Sequence, residues 1–187
     1  MGSDGYRLAA ESACTDGVIL EVGSGVSTEY LATMGPLVVT IDLEHQPMLG
    51  LPRCRYLTGR AEELLTRWHE PGIGDSRRVC FAWLDGHDWP YDHHVGEPWL
   101  EAQRARYLAR GQDYSKQASQ ASHLTIAKLL APWVAAGGAV AFDDTWIDGD
   151  RWDGKGGTAV PYLLSRGFLL RRSGDIYYGL VLLEAPA

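Results

Sequence analysis

The chain has 187 residues, 45% of them hydrophobic and 22% charged, which suits one folded domain with a single core and excludes a second large domain or a disordered chain. The net charge of −7 opposes binding to nucleic-acid phosphates or to an anionic membrane, so small molecules or proteins are the expected partners.

Short β-branched apolar runs alternate with longer stretches of helical spacing, a pattern that predicts an α/β fold. Val18 to Val22 and Leu37 to Ile41 read as parallel strands covered on both faces, because their apolar runs are continuous. Arg55 to Thr58, Val79 to Leu84 and Ala139 to Phe142 are the next three predicted strands. Ser27 to Met34, Ala61 to Trp68 and Ser119 to Ala136 have helical spacing, and Gly137-Gly138 is expected to close the last of these helices. Tyr91 to Gln120 is a polar and aromatic insertion whose Leu100 to Ala109 segment favours a helix, giving the single domain a lid or a homodimer contact. Gly167 to Leu183 alternates about Ser173-Gly174-Asp175 and predicts an antiparallel hairpin at a sheet edge.

Cys14, Cys54 and Cys80 are odd in number and share no C-x-x-C spacing, so neither a disulfide framework nor a zinc ribbon is indicated and a cytoplasmic location is expected. No export signal is visible, and the uncharged stretch Leu129 to Phe142 is too short and too broken to span a bilayer.

The chemistry is expected where strands end. Glu21-Val22-Gly23-Ser24-Gly25-Val26-Ser27-Thr28 follows the first strand and opens a helix, and its glycines let a ligand approach the backbone closely. Thr28 stands where a dinucleotide fingerprint has its third glycine, which argues against a nicotinamide cofactor. Asp42 ends the second strand at the distance from the glycine turn where an acid accepts ribose hydroxyls. Asp85 ends the fourth strand, and Asp143 and Asp144 end the fifth. Three converging carboxylates repel unless a cation separates them, and all-oxygen donors favour Mg²⁺, Mn²⁺ or Ca²⁺.

These motifs resemble the class I S-adenosylmethionine-dependent methyltransferases, across nearly the whole chain. The resemblance implies a Rossmann-like, seven-stranded, mostly parallel sheet with helices on both faces and an antiparallel C-terminal hairpin. It implies cofactor contacts at Glu21, Gly23, Ser24, Gly25, Ser27, Asp42 and Asp85, and at Gly59, Arg60 and Ala61 in the third-strand turn. The sequence is further similar to the metal-dependent catechol-type and sugar-type O-methyltransferases, which places Mg²⁺ on Asp85, Asp143 and Asp144.

A divalent ion there would lower the pKa of an acceptor hydroxyl and align it with the methyl group. The catechol-type pattern has Lys where this chain has Asp88, so the expected base is His87, whose ordinary pKa suits the task, with Asp88 as the second candidate. His93-His94 beside Asp85, His87, Asp88 and Asp92 form a weaker metal cluster, because adjacent histidines point apart in an extended chain. Trp152 to Gly157 reads first as a solvated turn and only second as a place where Lys155 meets an anionic group. The expected activity is metal-dependent O-methylation of a small-molecule hydroxyl. The alternatives are a metal-independent O- or N-methyltransferase and a non-catalytic cofactor-binding subunit.

Overall fold

In the computed structural model, residues 17–44, 50–92, 96–173 and 179–187 are described. The strands are β1 (Val18–Val22), β2 (Leu37–Asp42), β3 (Cys54–Thr58), β4 (Val79–Leu84), β5 (Val134–Phe142), β6 (Thr145–Asp148), β7 (Arg151–Gly154), β8 (Leu169–Ser173) and β9 (Val181–Glu184). The helices are α1 (Val26–Leu31), α2 (Ala61–Thr66), α3 (Pro98–Ala109), α4 (Lys116–Leu130) and α5 (Ala159–Ser165).

Seven strands form one sheet in the order β3-β2-β1-β4-β5-β9-β8, parallel from β3 to β5 and antiparallel at β9 and β8. Every residue of β1 and β4 is buried, as their unbroken apolar runs require of central strands with cover on both faces. On one face Leu65, Trp68, Ile126, Leu130 and Leu163 pack against Leu20, Ile41, Leu84 and Phe142. On the other, Leu31 joins Ile19, Val38, Phe81 and Trp83. A small separate cluster of Leu100, Tyr107 and Tyr114 holds α3 in the predicted insertion.

The order of strands reverses between β1 and β4, and a sheet of this kind leaves a crevice at that point, beyond the carboxyl ends of the strands. Register sharpens the arrangement. Val22 lies beside Ile41 and Leu84, and Leu84 lies beside Phe142. The next residues, Gly23, Asp42, Asp85 and Asp143, therefore leave the sheet side by side. Main-chain bonds seal the row: Gly23 N–H donates to Ile41 O at 2.9 Å, Asp85 N–H to Val22 O at 2.9 Å, and Asp143 N–H to Leu84 O at 3.2 Å.

Two expectations are corrected. The long helix begins earlier, where Ser115 Oγ accepts from Ala118 N–H at 3.1 Å, and ends at Leu130 before a 3₁₀ turn, Ala131–Trp133, that contains Pro132. Gly137 and Gly138 do not close that helix. They lie within β5, where its pairing with β4 shifts register; Gly137 has φ 69°, and a Cβ on Gly138 would meet Ala135 O at 2.9 Å. The second departure is the hairpin β6–β7, where a solvated turn was expected. The C-terminal strands pair as predicted; Gly174 and Asp175, where their turn is expected, are outside the described residues, as are Cys14, His93 and His94. Among the described residues no helix is long and apolar enough to cross a membrane.

Candidate active site

The glycine turn after β1 is built on a buried acid. Glu21 is fully buried and accepts from Ser27 Oγ at 2.5 Å and Thr28 Oγ1 at 2.7 Å, while Gly25 N–H donates to Thr28 Oγ1 at 3.0 Å. Burial raises the Glu21 carboxyl to about 7 against the pull of those hydroxyls. Glu21 is thus placed beneath the turn as its prop. Gly23 has φ 92°, and a Cβ there would lie 2.6 Å from Asp85 O, so only glycine lets the turns after β1 and β4 touch. Asp42 faces the same turn: its Oδ2 accepts from Ser24 N–H at 2.8 Å and Ser24 Oγ at 2.7 Å, and its Oδ1 from Glu44 N–H at 3.0 Å.

Two adjoining hollows meet over this row. The wider, of about 530 Å³, is lined by Ser24, Gly25, Ser27, Asp85, Asp88 and Asp143 among others. The narrower, of about 60 Å³, is lined by Ile41, Gly59, Arg60 and Ala61, with Ile126 behind. Gly23, Asp42, Gly86 and Tyr107 border both. The combined space lies in the range usual for small-molecule sites.

Asp85 and Asp143, which line the wider hollow, and Asp144 behind them bring carboxylate oxygens within 4.8 Å of one another, as the strand ends predicted. A fourth group joins them. Lys155 is only 2% exposed; its Nζ donates to Asp85 Oδ1 and lies 3.0 Å from Asp144 Oδ2. Tyr91 Oη donates to Asp144 Oδ1 at 2.6 Å. Burial works against the Lys155 charge, but Asp85, Asp144 and Asp143 outweigh it and hold its pKa well above the ordinary value. Burial first, and the Asp85 charge second, raise Asp143 to about 7. Lys155 was expected chiefly in a solvated turn. The hairpin corrects this: Thr145 pairs with Gly154, so Asp144 and Lys155 flank the last pair, and Lys155 N–H donates to Asp144 O at 2.9 Å. The signal available in the sequence was the Gly149-Asp150 dipeptide between Thr145 to Asp148 and Arg151 to Gly154, a two-residue hairpin turn that opens on glycine.

The two predicted bases separate. His87 is 9% exposed, with Nδ1 3.2 Å from Asp88 O, Nε2 3.1 Å from Asp113 O, and its ring 4.5 Å from that of Tyr107. Each ring nitrogen faces a main-chain carbonyl, and a neutral imidazole donates to one of them, so His87 ties the turn after β4 to the insertion while it also borders the narrower hollow. Asp88 lines the wider hollow and accepts from Gln103 Nε2 at 3.1 Å.

No protein-family model matches the chain, and no curated protein does. Solved structures do. An rRNA methylase from Streptococcus thermophilus superposes with a TM-score of 0.52 at 14% identity, over 97% of this chain and 94% of that one. The 1,6-didemethyltoxoflavin-N1-methyltransferase of Burkholderia thailandensis, bound to 1,6-didemethyltoxoflavin and S-adenosylhomocysteine, gives 0.52 at 16% identity, over 98% and 79%. The MycE methyltransferase of the mycinamycin biosynthetic pathway, in complex with Mg, S-adenosylhomocysteine and mycinamycin VI, gives 0.55 at 14% identity, over 96% and 47%. The fold is that of the methyltransferases.

Within a methyltransferase fold the hollow suits S-adenosylmethionine. Gly25 is extended, at φ 179°, and a Cβ on it would meet nothing within 4 Å, so its open side faces the space a ligand needs. A carboxylate has about four lone-pair sites; Asp42 uses three and keeps one for a hydroxyl. Gly59, Arg60 and Ala61 line the narrower hollow together with Ile41. A divalent ion fits less well. The carboxylate oxygens are suitable donors, but an ion 2.0 to 2.6 Å from them would share its space with the Lys155 ammonium. The ammonium also neutralises part of the negative charge that would draw such an ion in. With Lys155 seated, the centre does not fit a divalent ion.

Proposed function

We propose that this chain is an S-adenosylmethionine-dependent methyltransferase that methylates a hydroxyl of a small molecule. The observation that carries the proposal is the row of Gly23, Asp42, Asp85 and Asp143, set side by side by strand register along one hollow. When bound, S-adenosylmethionine supplies an electrophilic methyl group. The glycine turn would receive its amino-acid end, Asp42 its ribose and the Gly59–Ala61 turn its adenine.

The acceptor would enter the wider hollow at the Asp85 and Asp143 end. Asp143, raised to about 7, lines that end and takes the hydroxyl proton at neutral pH, which is the pKa match that general-base catalysis favours. Trp83 on the same wall gives a flat acceptor an apolar surface. A small molecule is favoured over nucleic acid because the hollow ends in carboxylates, which repel phosphates, and the chain carries −7 overall.

Calorimetric titration with S-adenosylhomocysteine tests the reading. Binding is expected, and Asp42→Ala should weaken it by about 10- to 100-fold, or about 1.4 to 2.8 kcal/mol. Absence of binding by the parent would overturn the assignment. Labelled methyl transfer to a panel of catechols, phenols and sugars then identifies the acceptor, and incorporation into RNA instead would overturn the small-molecule part.

A further inference from the structure

We infer that Lys155 is the resident cation of the carboxylate centre, a positioning residue that holds Asp85 and Asp144 together and leaves the folded site closed to a divalent ion. The assignment deepens the methyltransferase reading and rests on it for where the acceptor enters.

Three features make Lys155 a built part of the site. Its side chain is 3% exposed, whereas those of Asp85 and Asp144 are 34% and 29% exposed, so the ammonium sits behind the carboxylates and not out in the hollow. Its loop is clamped to the end of β5: Gly156 N–H donates to Thr145 Oγ1 at 2.8 Å, and Gly154, at φ 81°, passes so close to Asp144 that a Cβ would overlap Asp144 O. Both oxygens of the carboxylate it bridges are engaged, since Asp144 Oδ1 accepts from Tyr91 and Oδ2 faces Lys155. Lys155 thus spans the ends of β4 and β5, the two strands a bridging ion would join. An ammonium offers three donors and a single charge, which matches two carboxylates that keep their distance, and it needs no supply of metal.

Titration of the parent and of Lys155→Met with Mn²⁺, followed by electron paramagnetic resonance and by melting temperature, separates the possibilities. The parent should bind no Mn²⁺ at about 1 mM or below, and EDTA should leave its affinity for S-adenosylhomocysteine unchanged. Lys155→Met keeps an apolar stem but frees the oxygens, so it should gain Mn²⁺ binding by at least about 10-fold, and Asp144→Asn added to it should abolish the gain. Mn²⁺ binding by the parent that Asp144→Asn removes would overturn the inference. So would a folded Lys155→Met that takes no ion. If Lys155→Met fails to fold, the parent titration decides alone. Failure of S-adenosylhomocysteine to bind would count against the methyltransferase reading and leave the ion result standing, so the two failures are distinct.

Discussion

Tyr91 donates its hydroxyl to Asp144 Oδ1 at 2.6 Å while its ring lies 6.1 Å from that of Trp146 and 13° from parallel with it. The stack fixes the phenol, and the phenol fixes the carboxylate. Asp144 has φ 45°, a left-handed conformation that an Asp tolerates better than most residues but still at a cost. Burial would raise its carboxyl, yet Lys155 and Tyr91 outweigh that and hold it below the usual range. The insertion therefore reaches the carboxylate cluster through one ring.

Tyr91→Phe keeps the stack and deletes the donor. A lost hydrogen bond to an ionised group costs about 1 to 2 kcal/mol where Lys155 still partners the carboxylate. For a chain of this size that is a melting temperature lower by roughly 3 to 6 °C. Affinity for S-adenosylhomocysteine should stay within about twofold, because Asp144 is not among the residues lining the wider hollow. A melting temperature equal to that of the parent would show that the bond contributes nothing.

Gly23 and Gly25 should respond oppositely to alanine. At Gly23 the new Cβ meets Asp85 O at 2.6 Å and Asp85 C at 2.9 Å, and backbone atoms in the sheet cannot yield, so Gly23→Ala should lower stability by roughly 2 to 4 kcal/mol. At Gly25 the backbone is extended and the space empty, so Gly25→Ala should change stability by no more than about 0.5 kcal/mol. Its methyl group enters the hollow, and S-adenosylhomocysteine affinity should drop about tenfold. Urea denaturation and calorimetry on the two variants check the contrast, and equal losses of stability would contradict it.

The sheet was legible because its central strands are unbroken apolar runs and its glycine turn and acid sit at strand ends; β1 and β4 have the residues predicted for them. That Asp85, Asp143 and Asp144 come together was legible for the same reason, since neighbouring parallel strands that end in carboxylates bring them side by side, and Asp42 likewise ends β2 beside the glycine turn. Lys155 was not. It reaches Asp144 only because β6 and β7 fold back on each other, a pairing set by cross-strand contacts such as Thr145 with Gly154, and glycines around a lysine read equally well as solvated loop. The partners of His87 were hidden for a related reason: Asp113 O, which faces one ring nitrogen, lies far along the chain. Gly137-Gly138 misled because a bulge within a strand and a helix stop call for the same residue.

Helix α3 is tied across the mouth of the hollow by two arginines on one acid. Arg106 lies 3.0 Å from Glu44, Arg110 pairs with the same carboxylate, and Glu44 follows Asp42 closely. Surface pairs add little stability, so Glu44→Ala should shift it by less than about 1 kcal/mol. Release of S-adenosylhomocysteine should nonetheless quicken severalfold, because the cover is held less firmly over the wider hollow, which Arg106 and Arg110 line. In the parent, raising salt from about 0.05 to 0.5 M should reproduce part of the effect through screening. Stopped-flow displacement measures it, and a salt-independent rate equal in both proteins would remove the arginines from that role.

Glu21 sets a pH dependence of stability whose sign is opposite to that of a salt-bridged acid. In the unfolded chain it ionises near 4.5; in the folded protein burial raises it to about 7. Between those values the folded state holds a proton that the unfolded state has lost, so this contribution is full below pH 4.5 and falls away as pH rises through 7. A shift of that size corresponds to roughly 3 kcal/mol. Glu21→Gln keeps the shape, and its amide meets the Ser27 and Thr28 hydroxyls, which rotate to accept or donate as required. The variant should be no more stable than the parent at pH 4.5 and should gain on it steadily towards pH 8. Urea denaturation of both proteins across that range measures the difference directly. An offset that does not change with pH would mean that Glu21 is ionised in the fold, with its charge satisfied by Ser27 and Thr28.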